Sequence, residues 1–228
     1  MRFEKEYFED FEYSLRNRLI KRHVLEVLRW GSKVSNSNLL NGQRKTALDV
    51  GCAYGYAVAI LKSLGYDAYG VDISKYSVKK AKKTLGTADF TICDVQWGLP
   101  FKNKIFDLVT CFEVLEHLEN PLQAIRNIFG ACKDIMIYTT PNRTVEKPIK
   151  KIIRDFDNTH INVGTPREWQ KYLTKNLRSS VVRVESFYDA NLRVANRVLF
   201  YKSLKMPYFG LNIRILIKKG QNQLFPVL

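Results

Sequence analysis

Three aspartates, Asp49, Asp72 and Asp94, each lie at or near the end of a short apolar run: Ala47-Leu48-Asp49-Val50, Tyr69-Gly70-Val71-Asp72 and Phe90-Thr91-Ile92-Cys93-Asp94. A carboxylate at the carboxyl end of a buried strand can accept hydrogen bonds from a ribose, an ammonium or an exocyclic amine. Asp72 follows Asp49 by 23 residues, the kind of interval at which an acidic side chain grips ribose hydroxyls. Asp94 is suited to accept from an adenine amino group. Each aspartate alone also fits a helix cap or turn; three at successive strand ends favour a ligand. Between the first two stands Gly51-Cys52-Ala53-Tyr54-Gly55. Gly51 lets the turn tighten and the backbone approach a ligand, and Gly55 permits close packing where a helix opens. Ala53 stands where a second glycine is often found, so the loop is not a pure G-x-G-x-x-G fingerprint.

A second group follows the next apolar run: Glu113, Glu116 and His117 in Phe112-Glu113-Val114-Leu115-Glu116-His117, with His160 further on. Spacings of three and four would place the first three on one face if this turn is helical. Two carboxylates and two imidazoles can ligate a divalent metal, an imidazole alone can serve as a base, and the same residues can be structural. His23, in an apolar leading segment, reads as packed rather than catalytic.

These residues need a scaffold of alternating strands and helices. Strands are expected at 46–50, 67–72, 89–93, 106–111 and 134–139, with helices near 54–64, 75–84 and 120–130. That rhythm is an α/β fold with a doubly wound, mostly parallel sheet, seven-stranded with the last strand antiparallel, preceded by an amphipathic helix over 8–30 and a loop at 35–43. Beyond Pro141 come a polar, basic stretch to about Thr165, a helix from Pro166, a strand at 180–188, a helix at 191–204 and a strand at 211–218. The apolar face of 191–204 (Leu192, Ala195, Val198, Leu199) is read as core rather than membrane contact. The expected organisation is an N-terminal helical cap (1–45), a catalytic domain (46–220) with a lid-like insertion at 143–165, and a tail (221–228).

The chain has 228 residues, enough apolar and aromatic content for a packed core, and a formal charge of +15. Such a balance attracts phosphates or nucleic acid, or simply solvates a lysine-rich surface. The clusters are Arg16, Arg18, Lys21 and Arg22; Lys79, Lys80, Lys82 and Lys83; and Lys147, Lys150, Lys151 and Arg154. The charged start, Met1-Arg2-Phe3-Glu4-Lys5-Glu6, lacks a secretory leader's apolar region, and no apolar run spans a bilayer. A cytoplasmic protein is expected. Cys52, Cys93, Cys111 and Cys132 contain no CxxC pair and read as buried thiols.

Taken with Phe106-Asp107-Leu108-Val109-Thr110-Cys111-Phe112-Glu113-Val114-Leu115-Glu116-His117-Leu118 and Tyr138-Thr139-Thr140-Pro141-Asn142, these segments resemble the class I S-adenosylmethionine-dependent methyltransferases over roughly residues 22–218. The resemblance implies that Asp49 and the Gly51, Ala53, Tyr54, Gly55 loop hold the methionine part of the cofactor. It also puts Asp72 with Ile73 at the ribose, Asp94 with Val95 at the adenine, and Glu113 against the cofactor. A dehydrogenase would need a second domain for which little chain remains. The implied catalytic group is Glu116, His117 and His160; a metal would take Glu113, Glu116, His117 and His160, a constellation that resembles that of the small-RNA 3′-terminal 2′-O-methyltransferases and, in part, the ubiquinone-pathway O-methyltransferases. The acceptor is then a small-molecule or glycan hydroxyl or, alternatively, an RNA terminus. A cofactor-binding scaffold without catalysis is the non-enzymatic reading.

Overall fold

A computed structural model gives the fold, describing residues 5–9, 11–146, 148, 159–177, 180–194 and 197–220. The leading segment forms two helices, α1 (Lys5–Glu9) and α2 (Phe11–Ser35), where one over 8–30 was expected. Val24, Val27, Leu28 and Trp30 of α2 are buried, the i, i+3, i+4 stripe by which a helix beds on a sheet.

The βα alternation then unfolds as β1 (Thr46–Val50), α3 (Tyr56–Ser63), β2 (Asp67–Asp72), α4 (Lys75–Leu85), β3 (Phe90–Ile92), β4 (Phe106–Phe112), α5 (Pro121–Ala131) and β5 (Cys132–Pro141). Local chemistry sets several boundaries. Ser74 caps α4 by accepting from the Ser77 N–H, and Gly86 ends it in the left-handed conformation, a stop that costs glycine little. Pro121 opens α5, where its missing N–H is no loss. The remaining elements are α6 (Pro166–Asn176), started by a reciprocal Thr165–Glu168 capping box, then β6 (Ser180–Val194), β7 (Arg197–Lys205) and β8 (Asn212–Lys219).

The sheet has eight strands in the order β3-β2-β1-β4-β5-β8-β6-β7, one more than expected. The first five are parallel; β8 runs antiparallel between β5 and β6, and β7 pairs antiparallel on β6. The helix expected over 191–204 is therefore corrected to strand. Its Leu192, Ala195, Val198, Leu199 spacing mimics a helical face, but Leu192 pairs Phe200, Asn191 pairs Tyr201 and Asp189 pairs Ser203 across a hairpin. Pairing within this hairpin overrides the helical period in a segment rich in Val, Leu, Phe and Tyr. Ala195 lies outside the described residues. Leu192, Leu199 and Phe200 are exposed rather than core.

Apolar side chains pack both faces of the sheet: Leu48, Val109, Met136, Ile213 and α5 on one, Ala47, Leu108, Ile137, Leu216 and α2 on the other. All four cysteines are free thiols, with Cys52, Cys111 and Cys132 buried. No described helix is long and apolar enough to cross a membrane.

Candidate active site

The carboxyl ends of β1, β2 and β4 meet at one edge of the sheet, where an open α/β sheet holds its ligands. Asp49 is buried, its Oδ1 accepting from the Thr110 hydroxyl of β4 at 2.7 Å. Burial is the main cause that pushes its carboxyl up to about 7; the Thr110 hydrogen bond opposes this and the charge of Asp72 adds to it.

The loop after β1 is held from β2. Gly51 and Cys52 donate to the Val71 carbonyl, and the buried Asp72 carboxylate accepts from the Ala53 N–H through Oδ2 and the Ser74 N–H through Oδ1, both at 2.8 Å. Asp72 thus ties the cofactor-type loop to the head of α4, a role the sequence did not disclose. Burial raises its pKa against those same hydrogen bonds.

Gly51 (φ +72°) and Gly55 (φ +78°) both require left-handed backbone. A Cβ on Gly51 would meet Val114 Cγ2 at 2.2 Å, and one on Gly55 would meet the Phe90 ring at 2.6 Å. The space that Gly51 leaves open is thus filled by the side chain following Glu113, so loop and turn are packed together. Ala53 also adopts positive φ, 47°, which costs a non-glycine residue roughly 1 kcal/mol. Tyr54 is half-buried and is covered by α1: its hydroxyl donates to the Phe8 carbonyl, and the Phe8 ring lies 5.5 Å from that of Tyr54 and 6.4 Å from that of Tyr76. Ile73 is half-buried beside Asp72, and Val95 is buried. Asp94 Oδ1 accepts from the Gln96 N–H at 3.0 Å, the aspartate turn that competed with the ligand reading.

After β4 the chain turns sharply. Glu113 has φ 54°, so it stands outside the short helical turn Leu115–His117, and the shared face expected for Glu113, Glu116 and His117 is not formed. Its Oε1 is nonetheless buried without a hydrogen-bond partner among the described residues. Glu116 is fully buried, neither carboxylate oxygen having a well-formed hydrogen bond. Burial, and next the charge of Glu113, push its carboxyl well above the ordinary range. A buried carboxyl without a firm partner is costly when ionised, which is why burial favours its protonated form.

His117 and His160 complete the group. One ligand-type atom from each of Glu116, His117 and His160 can be chosen so that all lie within 4.8 Å of one another, and the two rings are edge to face. His117 Nδ1 bonds the Thr159 carbonyl at 3.1 Å and His160 Nδ1 bonds Glu146. Such contacts orient imidazoles in metal and acid–base sites. Glu146 was missed from sequence; an acidic residue within the lysine-rich 143–165 insertion was its only signal. The insertion's far end is laced to the same turn, Ile161 and Asn162 both donating to the Glu116 carbonyl at 2.9 Å. The basic run Lys147, Lys150, Lys151 and Arg154 lies outside the described residues, as do the side chains of Arg16 and Arg18. Lys79, Lys80, Lys82 and Lys83 are exposed on α4.

Comparison with known proteins fits this geometry. The family described as Methyltransferase domain matches residues 16–176. The ubiquinone biosynthesis O-methyltransferase of Aliivibrio fischeri (strain MJ11) is 28% identical over 137 residues, 58% of each chain. That of Rickettsia typhi is 36% identical over 101 residues, 42% of this chain and 41% of the relative. The chain thus matches well under two thirds of these curated relatives' length. Among solved structures, a SAM-dependent methyltransferase from Archaeoglobus fulgidus aligns with a TM-score of 0.68 at 21% identity, covering 94% of this chain and 100% of that one. Magnesium protoporphyrin IX methyltransferase from Synechocystis PCC 6803 with bound SAH aligns with a TM-score of 0.60 at 19% identity, covering 94% and 97%.

Proposed function

Because this chain belongs to the class I S-adenosylmethionine-dependent methyltransferase family, we propose that it transfers the cofactor's methyl group to a hydroxyl oxygen of a small molecule or glycan. The observation that carries the acceptor chemistry is the fully buried Glu116 with His117 and His160 gathered beside it, just past the strand end that faces the cofactor loop. The similarity to proteins named O-methyltransferases supports oxygen as the acceptor.

The residues suit the cofactor. Asp49 offers a buried carboxylate to the methionine ammonium, the 51–55 loop its backbone, Asp72 and Ile73 the ribose contact, Asp94 and Val95 the adenine contact. The unpartnered Glu113 Oε1 is an acceptor left open on this side. The bound sulfonium supplies an activated methyl whose departure needs no proton. The protein's task is therefore to align the acceptor and exclude water, which α1 over Tyr54 and the 159–164 segment over Glu116 serve. An imidazole of His117 or His160, oriented through Nδ1, takes the hydroxyl proton.

A second reading has its own support. One carboxylate and two oriented imidazoles are a donor set for a divalent ion, here Glu116, His117 and His160, with Glu113 outside the group. When bound, the ion would lower the acceptor hydroxyl's pKa; Glu146 and the Thr159 carbonyl would hold the imidazoles for it.

The test is release of S-adenosylhomocysteine from S-adenosylmethionine with phenolic, glycan and RNA-terminal acceptors, with and without a chelator. Turnover with phenolic or glycan hydroxyls is expected. Turnover confined to RNA termini would move the reading to the alternative acceptor. Cofactor binding without turnover on any acceptor would favour the scaffold reading. Chelator inhibition reversed by a divalent ion would select the metal form.

A further inference from the structure

His23 is packed against Phe112 and Phe187 and is hydrogen-bonded as well. It projects from α2 into a layer between that helix and the antiparallel strands, and its Nδ1 lies 2.9 Å from Asp189 Oδ2 of β6. A carboxylate can only accept, so Nδ1 carries the hydrogen and, in the neutral ring, Nε2 presents a lone pair. The Tyr201 hydroxyl of β7 lies 3.4 Å from His23 Nδ1. Burial pushes the Asp189 carboxyl up, but the His23 contact, with smaller contributions from Tyr201 and Ser203, leaves it below its ordinary range. Arg214 of β8 closes the layer, bonded to Glu185 and Ser203 and stacked over Trp30 and Phe187. His23 Nε2 and the buried Asp189 Oδ1 have no hydrogen-bond partner among the described residues, while His23 Nδ1 and Asp189 Oδ2 hold each other. The His23 side chain is 14% exposed.

Its position makes the open nitrogen meaningful. The His23 ring stands edge-on to Phe112, centroids 5.5 Å apart, and 6.2 Å from the Phe187 ring. Phe112 is the last residue of β4 and immediately precedes the Glu113–His117 turn. Asp189 lies two residues beyond Phe187, which pairs Asn212, which in turn pairs Pro141 at the end of β5. The His23–Asp189 pair therefore sits past the carboxyl edge of the parallel strands, the edge that carries the cofactor loop. It approaches that edge from the α2 face of the sheet. Val114 and Leu115, in the turn that carries Glu116 and His117, pack with the opposite face.

We propose that His23, held by Asp189, is an acceptor-binding residue whose Nε2 accepts a hydrogen bond from a hydroxyl of the methyl acceptor, with the Phe112 ring as the adjoining apolar wall. The inference rests on the methyltransferase reading for what the acceptor is, but not for what the imidazole recognises, a hydrogen-bond donor beside an aromatic surface. Asp189 is the positioning residue: it fixes the tautomer that makes Nε2 an acceptor.

The test uses the full chain loaded with S-adenosylhomocysteine, phenol as the hydroxyl probe, and ring-nitrogen NMR of the histidines. In the wild type, His23 Nδ1 is expected to give the protonated-nitrogen signal and Nε2 the bare-nitrogen signal, the latter moving as phenol is added. His23→Phe and Asp189→Asn should each weaken phenol at least tenfold while leaving the S-adenosylhomocysteine Kd within twofold. A merely structural pair predicts no Nε2 movement and unchanged phenol affinity in the folded variants, and either result overturns the proposal. If a variant fails to fold, the wild-type Nε2 signal decides. Failure of S-adenosylhomocysteine to bind the wild type would sink the methyltransferase reading instead, and the phenol response of the unloaded chain would still judge His23.

Discussion

Replacing Asp49 by Asn should erase a pH dependence that the wild type carries in both stability and cofactor affinity. Asp49 is buried and its carboxyl is pushed up to about 7 from an ordinary value of 3.8. Between those two values the unfolded chain has lost the proton and the folded chain retains it. Folded protein then binds more protons than unfolded, so stability falls as pH rises through this window and levels above about 7. A gap of about 3 units at 1.36 kcal/mol each gives roughly 4 kcal/mol lost between pH 4 and 8. Asp49→Asn keeps an oxygen for the Thr110 hydroxyl and has no proton to lose, so its stability relative to wild type should rise over the same interval. Cofactor binding should run the other way, because a methionine ammonium favours the ionised carboxylate. Wild-type affinity should improve by about tenfold from pH 6 to pH 8, and the variant should bind weakly with no step. Urea unfolding of both proteins at a series of pH values, with calorimetry of S-adenosylmethionine binding, measures both effects. A difference between wild type and Asp49→Asn that is flat from pH 4.5 to 8 would refute the reasoning.

Asp72→Ala strands the Ala53 and Ser74 N–H groups and removes the ribose acceptor. A cofactor affinity loss of at least tenfold is expected by calorimetry, with a stability loss of roughly 2 kcal/mol or more by denaturant unfolding. Gly51→Val combines left-handed backbone with a Cβ driven into Val114 and should abolish cofactor binding; a folded variant that binds normally would remove the loop from the site. His117→Ala and His160→Ala should leave cofactor affinity nearly intact and reduce turnover by about 10²-fold or more, whereas variants that only lose stability would show these imidazoles to be structural.

The sequence was most legible where local signals agreed. The Leu48-Asp49-Val50-Gly51 run ends a strand and opens a turn, and its neighbours β2, β4 and β5 lie within a few residues of the expected spans. Glu116, His117 and His160 were nominated from residue type and do converge. What escaped depends on strand pairing and on contacts that only the folded sheet creates. Residues 191–204 carry a helical spacing that Asp189, Asn191 and Leu192 override by pairing Ser203, Tyr201 and Phe200. The same hairpin brings Asp189 to His23, 166 residues away in sequence, and no local pattern announces such a meeting. Glu146 was hidden in a basic segment, and the Asp72 grip on Ala53 exists only because the β1 loop folds over the end of β2.

The position of β8 bears on how the molecule comes into being. This strand, the last among the described residues, is interior to the sheet, clasped between β5 and β6. During synthesis the β6–β7 hairpin emerges while residues 212–219 are still unmade, and the edge of β5 from Ile135 to Pro141 has no partner on that side. Since β8 is antiparallel to both neighbours, β6 is parallel to β5, so direct docking of the early hairpin on β5 would form a different hydrogen-bond ladder with no place left for β8. Long-range closure of this kind is slow and leaves strand edges open to wrong partners. The nascent protein therefore passes through an interval in which its exposed β5 edge is a target for chaperones or self-association, and the pairing of β8 ends it.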